Sequence, residues 1–289
     1  MVLMDAPFHI NWNITYLCNF NCQHCYSRTT TTQKLSLYDQ LKIAQNIVES
    51  RVFSVNLGGG EPLLLEDTFS VIEYLAQKHV IVGLSTNGWG INEALAFRLK
   101  NLGLSKAFIS IDNPNGARHD EFRQKEGSFE RAIDAIGHFK KAGIPVYLST
   151  VITRDNYPVL EQVVDLAVET GCVGVDFKRL RLQGNAQNRH DLQLSSEQES
   201  GLYSKLLTCR ELSWLSILLV YNTLPAEGID AGCPCGKTSL AIQEDGGIAP
   251  CVYSRTSIGN ALSDRIDDLW QHSEALATLR ESAHCIGGT

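Results

Sequence analysis

Long apolar runs and a secretory leader are both missing from this sequence of 289 residues. Its most apolar stretch, Trp214–Tyr221, is far shorter than the roughly 18 residues that a membrane-spanning helix needs. The first residues contain no basic region followed by an apolar run, which a secretory signal would have. We therefore expect a cytoplasmic protein that neither spans a membrane nor is exported.

An excess of basic residues is also absent, because 32 acidic residues face 25 basic ones and the formal net charge is −7. Without a basic block, nucleic acid and anionic membranes are poor partners. The acidic balance is compatible with a cationic substrate, and equally with acidity that only keeps the protein soluble. At 44% hydrophobic and 20% charged residues, the composition is that of a globular protein with an ordinary core.

Cysteine, by contrast, is abundant, with nine residues. Disulfides are rare in a reducing compartment, so we expect thiols, metal ligands or reactive groups. Cys172 and Cys209 have no partners nearby in the sequence, and we expect both to pack in the core. The other seven form one group in Cys18–Cys25 and another in the C-terminal tail, namely Cys233, Cys235, Cys251 and Cys285.

Up to about residue 180, short β-rich runs alternate with helical patterns, which predicts a parallel sheet. Most of the runs are near-continuously apolar, as strands covered on both faces are. Such a sheet is either doubly wound or curved into a barrel, and in both cases ligands bind at the carboxyl ends of the strands. The candidate strands are His9–Thr15, Val52–Leu57, Val80–Ser85, Ala107–Asp112, Val146–Ile152 and Val173–Phe177.

Helices are predicted between these strands from apolar stripes and capping residues. One begins at Ser36, where Asp39 completes a capping box. Another is capped by Asn156, with Pro158 in its first turn. A later one is predicted over Leu269–Arg280, near the end of the chain.

The alternation stops after the sixth strand, and the polar segment Arg181–Gln193 is interpreted as a boundary loop. We therefore expect two domains, residues 1–190 and residues 191–289. The second contains a predicted helix over Ser196–Leu212, a strand and the four tail cysteines.

Cys18, Cys22 and Cys25 follow the first predicted strand and so belong to the carboxyl end of the sheet. Thiolates this close together suit zinc or an iron–sulfur cluster. Structural zinc needs a fourth ligand, and the only local candidate, His24, sits between two ligands, where it could hardly turn inward as well. A cubane held by three thiolates leaves one iron open, so the missing ligand is a substrate or cosubstrate.

The spacing C-x3-C-x2-C followed by Tyr26 resembles the signature of the radical SAM superfamily. The resemblance covers about residues 9–180 and implies an α/β fold with a partial (β/α)6, TIM-like barrel. It also implies a [4Fe-4S] cluster on the three cysteines, S-adenosylmethionine on the fourth iron, and an electron donor of the flavodoxin or ferredoxin type. Cleavage of the cosubstrate yields a 5′-deoxyadenosyl radical, which abstracts a hydrogen atom from the substrate.

Three more elements fall where this family has them. Gly58–Pro62 resembles the GGEP motif that binds the methionine amino group, since glycine permits close backbone approach and Glu61 supplies a charge for the ammonium. Ser85–Gly88 is similar to an element near the ribose. The third is Ile109–Asp112, where related enzymes often use a serine, here Ser110, together with an arginine on the cosubstrate carboxylate, here Arg123. The plainer alternative for Ser110 is a buried strand serine, and for Arg123 it is a solvated surface charge. The resemblance implies cofactor-binding roles for Gly59, Gly60, Glu61, Ser85, Asn87, Ser110, Asp112 and Arg123.

The tail contains a predicted hairpin with its turn at Asp245–Gly247, which brings Cys233 or Cys235 near Cys251. With the "GN", "LW" and "LR" pairs that follow it, the tail resembles the SPASM/twitch extension of radical SAM enzymes. The resemblance implies one auxiliary [4Fe-4S] cluster. The predicted metal ligands are Cys18, Cys22 and Cys25 for the first cluster and Cys233, Cys235 and Cys285 for the auxiliary one.

Cys235 is an extra cysteine relative to the usual pattern of this extension, so four thiols compete for four irons. In the preferred interpretation Cys251 is catalytic and returns a hydrogen atom to a substrate radical, because a thiol S–H bond is weaker than a sugar C–H bond. In the alternative, Cys251 is a ligand and Cys235 is not.

The preferred functional hypothesis is epimerisation of an aminoglycoside, with a resemblance to the epimerase of neomycin (antibiotic) biosynthesis. The acidic balance suits such a polycationic small molecule, and the first strand begins so early that no leader-peptide-binding domain is expected before it. The alternatives are dehydrogenation of an amino-sugar alcohol, maturation or epimerisation of a ribosomal peptide, and a non-enzymatic iron–sulfur redox sensor. A sensor would have no use for the GGEP-like element Gly58–Pro62 or for the element Ser85–Gly88.

Overall fold

The computed structural model describes residues 4–28, 35–212, 216–220, 234–254 and 256–281. The strands are β1 (His9–Thr15), β2 (Ser54–Gly59), β3 (Ile81–Thr86), β4 (Lys106–Ser110), β5 (Val146–Ile152), β6 (Gly174–Arg179), β7 (Ser216–Val220), β8 (Ser239–Ile242), β9 (Gly247–Ala249) and β10 (Gly259–Asn260). The helices are α1 (Leu37–Glu49), α2 (Asp67–Gln77), α3 (Glu93–Asn101), α4 (Gly116–Arg123), α5 (Ser128–Lys141), α6 (Leu160–Thr170), α7 (Ser196–Leu212), α8 (Ile266–His272) and α9 (Glu274–Glu281).

All the strands belong to one 10-stranded sheet, in the order β10-β9-β8-β1-β2-β3-β4-β5-β6-β7. β1 to β7 are parallel and follow the order of the chain, while β9 runs antiparallel to both β8 and β10. β7 and β10 form the two edges of the described sheet, which is therefore an open barrel wall. This confirms the predicted α/β fold with a partial barrel.

Helices cover the outer face of the sheet because that face is apolar. Ile10, Leu57 and Leu84 lie on neighbouring strands and are completely buried. Ile43 of α1 and Ile72 of α2 belong to the same buried cluster. No helix among the described residues is both long enough and apolar enough to cross a bilayer.

The predicted N-cap of α1 at Ser36 is confirmed, although the reciprocal bond of a capping box goes to the Ser36 hydroxyl and not to its N–H. The Ser36 Oγ accepts a hydrogen bond from the Asp39 N–H at 3.2 Å and donates one to the Asp39 carboxylate at 2.6 Å. The helix therefore begins where the local sequence indicated.

The predicted cap of α6 is wrong. The Asn156 amide instead donates to the carbonyl oxygens of Asp112 and Val151, each at 2.8 Å. A short 3-10 turn that contains Pro158 follows, and α6 begins only at Leu160. Contacts with strands distant in the sequence therefore take the side chain that local propensity would use as a cap.

The single helix predicted over Leu269–Arg280 is also wrong, because the chain breaks at Ser273 into α8 and α9. Ser273 is extended, with ψ of 118°, and its carbonyl accepts the Ala277 N–H at 3.0 Å. Serine is among the residues preferred at helix N-termini, which accounts for a new start at this position.

The C-terminal hairpin extends the barrel sheet. β8 lies parallel to β1, with Ile10 opposite Leu240. On the outer face, the Asn46 amide of α1 donates to the carbonyl oxygens of Ala261 and Asp264, at 2.9 and 2.7 Å. The tail thus packs along the first β/α unit, and the domain boundary predicted near residue 190 stays a prediction.

Candidate active site

A cavity of about 200 Å³ lies at the carboxyl ends of the parallel strands, where ligands of such sheets bind. Side chains alternate between the two faces of a strand, so strands that bury apolar residues outside present polar ones inside. The strands are thus not the near-continuous apolar runs that were predicted, because their inward positions are polar. The polar residues that line the cavity from the strands are Asn11, Asn13, Asn56, Ser85, Thr86, Ser110, Ser149, Lys178 and Arg179.

The cavity brings together most of the predicted site residues. Glu61, Asp112, Cys235 and Cys251 do not line it. Cys233 and Cys285 lie outside the described residues. The predicted residues that do line it are Cys18, Cys22, Cys25, Gly59, Gly60, Ser85, Asn87, Ser110 and Arg123.

One side of the cysteine loop, residues 18–25, is held by the segment that was interpreted only as a boundary loop. The Asn185 N–H donates to the Cys25 carbonyl at 2.9 Å, and its side-chain amide donates to the Cys22 carbonyl at 3.0 Å. Gly184 packs so closely that a Cβ there would clash with the Cys25 carbonyl oxygen. The segment after β6 is therefore part of the site.

Helix α4 and the loop after β3 hold the other side of the cysteine loop. The Gln23 N–H donates to the Phe122 carbonyl at 3.0 Å, and the His24 ring stacks on the Phe122 ring with centroids 4.7 Å apart. The Asn87 amide donates to the Asn19 side chain at 2.8 Å. The three thiols are thus positioned around the same cavity by contacts from three separate elements.

The donor set fits an iron–sulfur cluster. Burial raises the pKa of the Cys22 thiol to about 11 and also raises the pKa of Cys18, so metal binding must drive their deprotonation. The Arg123 Nη1 lies 3.9 Å from the Cys22 Sγ, and a neighbouring cation favours the thiolate. Three cysteines that share one cavity, with a cation beside one of them, match the soft ligands that such clusters take.

Arg123 is a buried charge, so the alternative of a solvated surface residue is wrong. Its Nε donates to the Asp112 carboxylate at 2.6 Å, and the two side chains are 9% and 1% exposed. Burial by itself would raise the pKa of Asp112, and the guanidinium holds it below the usual range. The second Asp112 oxygen accepts the Val151 N–H at 2.8 Å, so the pair ties α4 to β5 beside Cys22. The cosubstrate-binding roles of both residues stay predictions.

Glu61 joins the two predicted cosubstrate loops to each other. It is 4% exposed, and its carboxylate accepts the Thr86 hydroxyl and the Asn87 N–H, each at 2.8 Å. Both carboxylate oxygens are therefore engaged by the loop after β3. Its predicted contact with the cosubstrate ammonium stays a prediction.

Gly59 and Gly60 serve packing as well as the cavity. Gly59 has a φ of 109°, which side-chain-bearing residues rarely adopt, and a Cβ there would clash with the Thr15 carbonyl oxygen. A Cβ on Gly60 would clash with the Leu17 carbonyl oxygen. The N–H groups of Gly60 and Glu61 donate to these two oxygens at 2.6 and 2.7 Å. The glycine loop thus rests directly on the start of the cysteine loop.

Glu61→Gln is expected to weaken the pH dependence of stability. Burial raises the pKa of Glu61 from 4.5 to about 7, so the folded state holds this proton more tightly than the unfolded state. The resulting stabilisation is complete below about pH 4.5 and is lost as the pH rises through about 7. At about 1.4 kcal/mol per pKa unit, the wild type should lose on the order of 3 kcal/mol that the variant does not lose.

Anaerobic urea unfolding at a series of pH values measures this difference. Glu126→Gln is the matched control, because Glu126 is exposed and the control should keep the wild-type slope. An unchanged slope in Glu61→Gln would contradict the assignment of this titration to Glu61.

In the tail, Cys235 and Cys251 flank the hairpin formed by β8 and β9, and the predicted proximity of the two thiols stays a prediction. Cys235 forms an isolated bridge with Ser239, the first residue of β8, and Cys251 follows the last residue of β9 by two positions. Cys251 is 7% exposed and lies behind the cavity wall, which its neighbours Val252 and Tyr253 line. The assignment of Cys251 as hydrogen donor and of Cys235 as ligand stays a prediction.

The chain matches two family models. Residues 12–167 match the model described as the radical SAM superfamily. Residues 233–286 match SPASM, described as an iron–sulfur cluster-binding domain. The first match contains the cysteine loop and the glycine loop, and the second contains the four tail cysteines.

Curated relatives and solved structures agree with these matches. The mycofactocin maturase MftC of Mycolicibacterium smegmatis is 33% identical over 96% of this chain and 74% of its own length. The AdoMet-dependent heme synthase of Methanosarcina barkeri is 25% identical over 99% of this chain and 88% of its own length. The crystal structure of Streptococcus suis SuiB bound to precursor peptide SuiA shares the fold, with a TM-score of 0.79, 17% identity, and coverage of 97% of this chain and 68% of SuiB.

The cysteine loop, the partial barrel and the family matches lead to one conclusion. The chain belongs to the radical SAM superfamily, with a C-terminal SPASM iron–sulfur domain, and its cofactors are S-adenosylmethionine, a [4Fe-4S] cluster and auxiliary iron–sulfur.

Proposed function

We propose that the protein is a radical SAM maturase that abstracts a hydrogen atom from a residue of a peptide. The observation that carries this proposal is the extended shape of the site. The cavity at the cysteine loop adjoins a second cavity of about 480 Å³, and Arg179 and Arg181 line both. An extended peptide, at about 3.3 Å per residue, fits two adjoining cavities better than a compact sugar does.

The relatives support the same proposal. MftC is named as a maturase, and SuiB was solved with a precursor peptide. These relatives support the peptide alternative of the sequence analysis better than its preferred hypothesis, the epimerisation of an aminoglycoside. They give no support to dehydrogenation of an amino-sugar alcohol.

The charge of the cavity also argues against a polycationic substrate. Arg123, Lys178, Arg179 and Arg181 line it, and no Asp or Glu within the described parts of the chain does so. The first three are paired with carboxylates behind the lining, so the cavity has no negative group to offer a polycation. The net charge of −7 is a property of the whole chain and is not reflected at the site. The acidic composition of the whole chain therefore does not support a cationic substrate at this site.

In the proposed enzyme, Cys18, Cys22 and Cys25 hold the first cluster. When bound, that cluster supplies the electron that converts S-adenosylmethionine into a hydrogen-abstracting radical, with a flavodoxin- or ferredoxin-type donor as the source. The chain's own residues hold the geometry: Asn185 fastens the cysteine loop, and Glu61 joins the loops after β2 and β3.

For the auxiliary cluster we favour the alternative in which Cys251 is a ligand. Its burial outside the cavity lining supports ligation more than hydrogen donation, because a hydrogen donor has to reach the substrate in the cavity. Cys233 and Cys285 complete the proposed ligand set.

The test is an anaerobic assay of the iron-loaded protein with reductant, S-adenosylmethionine and peptides encoded beside its gene. We expect a mass change in one peptide, formed together with 5′-deoxyadenosine, and no change in a panel of aminoglycosides. An aminoglycoside that takes up solvent deuterium under the same conditions would restore the epimerase hypothesis and refute the peptide one.

A tetrapyrrole is the second candidate substrate. The similarity to a heme synthase spans almost the whole chain, and a cationic cavity suits the carboxylates of a porphyrin. The same assay with a porphyrin dicarboxylate separates this candidate from a peptide.

A further inference from the structure

We infer that Arg181 binds a carboxylate of the substrate, which makes this enzyme specific for an anionic part of its peptide. The inference deepens the proposed function, because it rests on the same pair of cavities. Arg181 stands where the two cavities adjoin, so a substrate that runs from one into the other must pass it.

The other cations of the cavity are already neutralised by carboxylates of the protein. Arg123 is paired with Asp112, and Lys178 with Asp176 at 2.5 Å. Arg179 forms an ion pair with Glu199 of α7. These three cations therefore have little net charge to offer a ligand.

Arg181 differs from them. Among the described residues no carboxylate forms an ion pair with it, and its Nε is buried without a hydrogen-bond partner. A guanidinium cannot lose its proton at neutral pH, so it keeps both its charge and an unused donor. Leaving a buried donor unpaired is costly, which indicates that a ligand supplies the partner.

Contacts with Tyr253 hold the Arg181 side chain in place between the two cavities. The Arg181 guanidinium lies over the Tyr253 ring, 5.4 Å from its centroid, and Tyr253 packs edge-on against Tyr26 at 4.7 Å. The Gln183 amide donates to the Tyr253 carbonyl at 3.1 Å, which fixes the backbone under the ring. Stacking on an aromatic face leaves the edge of the guanidinium available for a two-pronged bond to a planar anion.

A carboxylate is the anion that this site fits. A planar guanidinium matches the two oxygens of a carboxylate, and the neighbouring Gln183 Oε1 is a buried acceptor without a partner, suited to a peptide N–H. The carboxylate can belong to the end of the peptide or to an Asp or Glu side chain. Both sources share one chemistry, and the experiment distinguishes them.

The experiment measures binding by the iron-loaded protein, without turnover. The probes are randomised octapeptide pools with a C-terminal acid or a C-terminal amide, each made with and without Asp and Glu, and captured peptides are counted by mass spectrometry. We expect wild type to retain carboxylate-bearing peptides about 10- to 100-fold better than the fully amidated pool. Preferential capture of the C-terminal acids without Asp and Glu indicates that the terminus is bound. Preferential capture of the amides with Asp and Glu indicates that a side chain is bound.

Arg181→Gln should abolish the preference for carboxylate-bearing peptides. Arg181→Lys keeps the positive charge but lacks the two parallel N–H donors of a guanidinium, so it should keep part of the preference. Arg118→Gln is the matched control, because Arg118 is 73% exposed and paired with Glu121, and it should behave as wild type. The visible absorption of the clusters and the melting temperature verify that each variant is folded and loaded.

Protoporphyrin IX and its dimethyl ester form a second pair of probes, read by their absorption spectra. If the acid alone binds in an Arg181-dependent way and no peptide is captured, the carboxylate site stands while the peptide function fails. If the peptides without any carboxylate are captured as well as those that carry one, the peptide function stands while the role of Arg181 is overturned. The role of Arg181 is also overturned if Arg181→Gln keeps the preference for carboxylate-bearing peptides and for the porphyrin acid. It is overturned as well if wild type binds none of these carboxylates.

Discussion

Replacing Cys18, Cys22 and Cys25 together by alanine is expected to remove about half of the iron and all reductive cleavage of S-adenosylmethionine. The reason is the separation of the cysteines into two groups. The loop after β1 carries three thiols at the mouth of the barrel, whereas Cys235 and Cys251 lie outside the cavity lining. Each group should then fill independently.

Iron and sulfide analysis of the anaerobically reconstituted variant, with quantification of 5′-deoxyadenosine, measures both effects. Cys172→Ala is the control, because Cys172 is completely buried in the core and its loss should leave iron content and cleavage unchanged. Near-complete loss of iron in the triple variant, or zinc in place of iron, would contradict the assignment of two separate clusters.

Asp112→Ala is expected to reduce the free energy of unfolding by about 3–5 kcal/mol. The substitution leaves the Arg123 guanidinium buried without its carboxylate, and a buried charge that has lost its partner is strongly destabilising. It also removes the acceptor of the Val151 N–H, so α4 loses its link to β5 beside the cysteine loop. We therefore expect the variant to bind iron less completely than wild type.

The control is a pair of the same chemistry on the surface. Glu93 and Lys141 lie 3.0 Å apart with side chains that are 55% and 64% exposed, so Glu93→Ala should cost no more than about 1 kcal/mol. Replacing both Asp112 and Arg123 by leucine should recover much of the stability lost in Asp112→Ala, because no uncompensated charge remains. Chemical unfolding of the four proteins measures these differences, and a loss below about 1 kcal/mol in Asp112→Ala would show that Arg123 is not the buried cation described.

Local sequence was sufficient to predict structural features whose interacting residues are close together along the chain. β1 and β5 match their predicted bounds residue for residue, and Ser36 caps α1 as predicted. The position of the cysteine loop also follows from local order, because a loop after a parallel strand must lie at the carboxyl edge of the sheet. Loops predicted after separate strands consequently meet at one cavity.

Local sequence was insufficient where a side chain has a choice of partners. Asn156 looks like a helix cap, yet its amide is taken by the carbonyl oxygens of Asp112 and Val151. Arg123 was open to interpretation as a surface charge or as a ligand of the cosubstrate, and the structure shows it paired with Asp112. In each case the deciding atoms come from residues that only the fold brings near.

By itself the sequence determined the class of fold and the cysteine loop, since the alternation of strands with helices and the spacing of ligands are properties of short segments. The cofactors followed from the resemblance of these motifs to the radical SAM superfamily. Only the tertiary structure decided that β8 pairs with β1, that Asn185 fastens the cysteine loop, and that the site is cationic within an acidic chain. It also left Arg181 without a carboxylate among the described residues. The physical reason is that strand pairing, burial and charge pairing depend on distances between residues that are far apart in the sequence, which composition and spacing do not contain.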